Sequence, residues 1–85
     1  MPSDEGIAAV LMELAHRRGR AASFCPAEAA RAMAEDWRPL MPEVRRVAWR
    51  LAAEGRLVVT QGGRPVAPEA ARGPVRLRLG PAGGV

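Results

Sequence analysis

The run from Asp36 to Gln61, DWRPLMPEVRRVAWRLAAEGRLVVTQ, passes from an amphipathic helix to a strand with one glycine as the stop. Leu40, Val44, Val47, Ala48 and Leu51 recur at three- and four-residue spacing, which gathers apolar side chains on one helical face. At 3.6 residues per turn, Glu43, Arg46, Arg50 and Glu54 form a polar row, with Arg45 and Trp49 together on its flank. A helix that must bury one face and then feed directly into a strand needs other elements to close the core against both.

The rest of the chain supplies them in order. Ser3 can cap free amides, Asp4 and Glu5 suit the positive end of a helix dipole, and Ile7, Val10, Leu11 and Leu14 continue at helical spacing. Arg17 and Arg18 favour the negative end and Gly19 the left-handed stop, so a first helix is expected from Asp4 to Arg18. After a link from Arg20 to Phe24, Pro26 and Glu28 suit the first and third positions of a second helix, expected to run to Ala34. Its apolar face, Ala29, Ala30 and Met33, is shallow and suits a close helix crossing. Asp36 can cap a turn through Pro39, and Pro42 disfavours a helical Met41, so a break is expected there and the third helix from Pro42 to Glu54.

Leu57 to Gln61 is β-prone and Gly62-Gly63 forms the turn beyond it. The return holds Val66 and then a loop. Val75-Arg76-Leu77-Arg78-Leu79 follows, alternating apolar and basic residues as a half-buried strand does. Three helices followed by a two- or three-stranded wing is the order of a winged helix-turn-helix, a mainly α fold with a small β-hairpin. One such domain is expected over residues 1–80, with a Gly/Pro-rich flexible tail at 81–85.

The strings FCPAEAAR at Phe24 to Arg31, WRPLMPEVR at Trp37 to Arg45, TQGGRPV at Thr60 to Val66 and RGPVRLR at Arg72 to Arg78 resemble the bacterial domain of unknown function numbered three-two-five-three. The resemblance spans the chain from the first helix to the last strand. It implies a small bacterial winged-helix-like protein, and it carries no activity, catalytic residue or cofactor.

Size and composition narrow the function. With 85 residues, one Phe, no Tyr, two Trp and many alanines, the core is lean. A chain of this length is stable by roughly 4 to 13 kcal/mol. A single Cys forms no internal disulfide and supplies no zinc site, so neither metal nor another cofactor is expected. The acidic N-terminus lacks the basic-then-apolar pattern of a signal peptide and no stretch has the length of a membrane span, so a cytoplasmic location is expected.

No catalytic constellation emerges. Cys25 precedes a helix N-terminus, where a thiolate is stabilised, but the one histidine, His16, lies on another helix and no third residue orients it. Gly62-Gly63 has no following helix and no Lys, unlike a phosphate loop. A non-enzymatic role is therefore expected.

The arginines are the strongest functional signal. All thirteen basic residues are Arg; residues 1–37 hold four against six acids, a net of −2, and residues 38–85 hold nine against three, a net of +6. With the third helix in a major groove, Arg45, Arg46 and Arg50 reach base edges or phosphates. Arg38 meets phosphate near the helix start, and Arg64 on the hairpin reaches the backbone or minor groove. Duplex DNA is the expected partner, ahead of single-stranded RNA, for which aromatic platforms are few. The DNA-binding form can be a homodimer; the alternative is a protein-protein interaction module without DNA binding, in which Trp49 and the arginines meet an acidic partner. Glu43 and Glu54 stand close enough along the helix to neutralise Arg46 and Arg50.

Overall fold

The computed structural model describes residues 2–83. Three helices, α1 (Asp4–Arg18), α2 (Pro26–Met33) and α3 (Met41–Ala53), are followed by β1 (Leu57–Gln61), β2 (Arg64–Pro65) and β3 (Arg76–Leu79). The strands form one antiparallel sheet in the order β2-β1-β3. This is an α+β, winged-helix-like arrangement.

Each helix boundary has a local cause. The Ser3 hydroxyl accepts the Gly6 N–H at 3.1 Å, and Asp4 and Glu5 occupy the first turn of α1. At the other end Gly19, at φ 75°, donates its N–H to the Ala15 carbonyl. In α2, Pro26 occupies the first turn, where no N–H is needed, and the Glu28 carboxylate accepts the Cys25 N–H at 3.0 Å.

The face that α1 buries is turned relative to the sequence expectation. Ile7 and Leu11 are buried as expected, but their companions are Ala8, Met12 and Ala15, while Val10 and Leu14 are only half-buried. Small alanines let α1 approach its neighbours closely, and the larger side chains pack along the rim of the core.

The break expected at Met41 does not form. A 3-10 turn at Arg38–Leu40 runs straight into α3, and Met41 is helical at φ −56°, ψ −44°. Pro42 lies in the first turn of α3, where its missing N–H would have had no helical partner, and burial of Leu40 holds the turn against the core.

Gly55 is the pivot of the fold. At φ 76° it donates to Ala52 O while the Arg56 N–H donates to Leu51 O, so the last carbonyls of α3 are satisfied as the chain reverses into β1. Leu57, Val59, Leu77 and Leu79 then face the helices, with Leu57 opposite Leu79 and Val59 opposite Leu77. On the other face, Val58 stands opposite Arg78 and Thr60 opposite Arg76. Gly62 and Gly63, both at positive φ, make the two-residue turn that sends β1 back as β2.

Phe24, within the link before α2, pairs with Leu77 through two backbone hydrogen bonds of 2.8 and 2.7 Å and is fully buried. It extends the sheet beyond β3 and ties the α1–α2 link to the wing.

Within the tail expected at 81–85, Pro81–Gly83 form a 3-10 turn against the pivot. The Gly80 N–H donates to Arg56 O and the Ala82 N–H to Gly55 O, both at 2.9 Å, and the His16 Nε2 lies 2.6 Å from Gly83 O. The final two residues of the expected tail, 84–85, lie outside the described residues.

Candidate nucleic-acid interface

The outward side of α3 follows from its buried side. Val44, Val47, Ala48 and Leu51 bury one face, and the opposite surface carries Arg45, Arg46, Trp49 and Arg50. These residues fall on two flanks with different electrostatics.

One flank is neutralised. Arg46 Nη1 donates to Asp4 Oδ2 at 2.9 Å and Nη2 to Asp4 Oδ1 at 2.6 Å, and Nη2 also donates to Glu43 Oε2 at 2.7 Å. The hydrogen bond from Arg46 holds the Asp4 carboxyl below its ordinary range, and the bonds to Asp4 and then Glu43 raise the pKa of Arg46 further. Further along, Arg50 Nε lies 3.8 Å from Glu54 Oε2, and Glu54 is shared with Arg56 at 3.6 Å. The row Glu43, Arg46, Arg50 and Glu54 is thus an ion-pair seam along this flank, tied to the start of α1 through Arg46 and Asp4.

The other flank keeps its charge. Arg45 lies over the ring of Trp49, 4.9 Å from its centroid, one helical turn away, and Trp49 is half-buried. Arg38, exposed at the entry to α3, lies 4.7 Å from the centroid of Trp37. Among the described residues neither Arg38 nor Arg45 has a carboxylate partner.

The hairpin carries the fifth arginine identified from sequence. Arg64 is exposed on β2 beside the Gly62-Gly63 turn and bonds to no residue of α3. The return of the wing is pinned by Gln61, whose amide donates to the carbonyls of Arg72 and Pro74 at 2.5 and 3.0 Å. The structure therefore joins Arg45 to Trp49 and Arg46 to Asp4, and leaves Arg64 by itself.

Two features escaped the sequence reading. Arg31, in the last turn of α2, lies 4.7 Å from the same Trp37 centroid as Arg38. Residues six apart share no helical face, so the spacing gave no signal. Arg72 is exposed on the wing, where its guanidinium reaches only the neighbouring Ala71 carbonyl at 3.4 Å. A count of arginines over the wing segment, without any strand assignment, would have included it.

The remaining chemical candidates lie elsewhere. Cys25 is half-buried at the start of α2. The ring nitrogens of His16 face Met12 O and Gly83 O, not the thiol.

Among curated proteins none matches the chain. A family model described as a protein of unknown function, DUF3253, matches residues 4–80, from the first residue of α1 to the glycine that follows β3. With that match running through every helix and strand, the chain belongs to the bacterial DUF3253 family.

Proposed function

We propose that this protein binds double-stranded DNA, seating the outer surface of α3 in the major groove and bringing the β1–β2 hairpin to the adjoining backbone or minor groove. The observation that carries this reading is that, among the described residues, no carboxylate pairs with Arg38, Arg45 or Arg64, beside α3 and on the wing. Arg45 is the groove residue, because stacking on Trp49 steadies its guanidinium and leaves the in-plane N–H groups free to donate. Arg38 and Arg64 supply phosphate contacts, which fix register without reading sequence. Arg46 and Arg50 act mainly in the ion-pair seam and add to the local potential.

The test is an anisotropy titration of a labelled mixed-sequence duplex with the wild-type chain, Arg45→Ala and Arg64→Ala. Binding by the wild type that weakens in both variants supports the reading. Unchanged affinity in both variants removes it. A second reading is favoured by the half-buried Trp49 at the centre of the outer surface: a partner protein docks there. That reading gains if Trp49→Ala abolishes a protein interaction while the chain has no affinity for DNA.

A further inference from the structure

Arg31 and Arg38 approach one indole from different elements, the end of α2 and the turn that opens α3. Each guanidinium carbon is 4.7 Å from the Trp37 centroid, so the two are no farther apart than the sum of those distances. Two like charges within that bound repel each other, and the described residues offer neither of them a carboxylate. Glu35 and Asp36 adjoin Trp37 in the chain, yet both are exposed and neither pairs with these arginines.

The indole provides what holds the arrangement. Trp37 is half-buried against the core, so its ring is a fixed platform, and the ring quadrupole attracts a cation lying over it. A guanidinium on a π-face keeps its N–H donors in its own plane, directed away from the ring. Ordering both side chains beforehand also lowers the entropy lost when an anion arrives. What such a pair lacks is an acceptor with several oxygens and one negative charge.

We propose that Arg31, Trp37 and Arg38 form a clamp for one DNA backbone phosphodiester at the entry to α3, an inference that rests on the duplex-binding function. A phosphodiester matches the pair because its two unesterified oxygens share one charge and accept from both guanidinium groups. The location suits it, since the turn between the second and third helices borders the groove that α3 enters. The partial positive charge at the start of α3 adds to the attraction. Arg31 is thereby assigned to the interface, and Trp37 is its positioning residue.

The experiment measures duplex affinity across a salt series for the wild type, Arg31→Ala and Arg31→Lys, with circular dichroism to verify the fold. Arg31 is exposed, so its replacement leaves the core intact. The clamp predicts that Arg31→Ala weakens binding at every salt concentration and lowers the slope of log affinity against log salt by less than about 0.9, the value for one whole phosphate contact, because Arg38 still meets the same phosphodiester. Arg31→Lys keeps the slope but binds more weakly, because an ammonium lacks the planar fork. The Trp37 indole N–H resonance, assigned with Trp37→Phe, shifts on adding duplex and stays in place with the same concentration of inorganic phosphate.

Wild-type binding with an unchanged affinity in Arg31→Ala at every salt concentration overturns the clamp and leaves duplex binding standing. An indole shift with inorganic phosphate alone overturns it in favour of a free-anion site. Absence of wild-type binding at low salt overturns both the clamp and the function on which it rests.

Discussion

Asp4 and Arg46 meet as a two-point ion pair between the first turn of α1 and the middle of α3, with N–O distances of 2.6 and 2.9 Å across 42 residues of sequence. Glu43 completes the site from within α3. The same contact joins two helices and removes a cation from the outer surface of α3. Arg46→Ala is therefore expected to lower the thermal unfolding midpoint while changing duplex affinity less than Arg45→Ala does. Thermal melts and anisotropy titrations on the two variants check this, and the reverse ranking in affinity would make Arg46 a principal DNA contact.

Acid should weaken the fold through the same pair. Asp4 and Glu28 are both held below their ordinary values of 3.8 and 4.5, Asp4 chiefly by the Arg46 hydrogen bond and Glu28 chiefly by the Cys25 N–H. A carboxyl whose pKa falls on folding contributes stability that is fully present above the unfolded value and is lost as pH falls through the folded one. Stability is thus expected to decline as pH drops from about 4.5 to below 3.8, and Asp4→Asn should make the decline shallower. Urea midpoints from pH 7 to pH 2 give both curves.

Phe24 has no counterpart in helix or strand periodicity, yet it fills the core and extends the sheet. Phe24→Ala is expected to cost about 3 to 5 kcal/mol, the usual range for emptying a buried aromatic site. Val58, half-buried on the other face of the sheet, should cost much less on truncation to alanine. Urea unfolding of both variants supplies the comparison, and equal losses would contradict the placement of Phe24 in the core.

Gly80 is a glycine for lack of space. A Cβ there would lie 2.4 Å from Gly55 O and 2.9 Å from the Arg56 carbonyl carbon, both backbone atoms of the pivot. Gly80→Ala must separate β3 from that pivot and is expected to destabilise by about 1 to 3 kcal/mol, as overpacking does. The shift in denaturant midpoint measures it.

These residues also mark what sequence reading reaches. Caps and stops act within four or five residues, so Ser3, Gly19, Pro26 and Gly55 announce α1, α2 and the α3–β1 pivot directly. The β-prone composition of Leu57 to Gln61 and the alternation of Val75 to Leu79 likewise give the paired strands. Periodicity weights large apolar residues, and so it favoured Val10 and Leu14 over the alanines that α1 buries. The break expected at Met41 came from a local proline preference that the tertiary burial of Leu40 outweighs.

The arginines were legible as a set and illegible as individuals. Glu43 and Glu54 lie within a turn of Arg46 and Arg50, so those pairings could be anticipated. Asp4 could not, because only the packing of α1 on α3 brings it to Arg46. Arg31 was missed for the same reason: the fold, not the spacing, delivers it to Trp37.

The most direct measurement is the affinity for a labelled mixed-sequence duplex from low to near-physiological salt, with Arg45→Ala beside the wild type. Duplex binding through α3 predicts that log affinity falls with log salt at roughly 0.9 per phosphate contact and that Arg45→Ala binds more weakly at every salt concentration. An absence of wild-type binding at the lowest salt would contradict it.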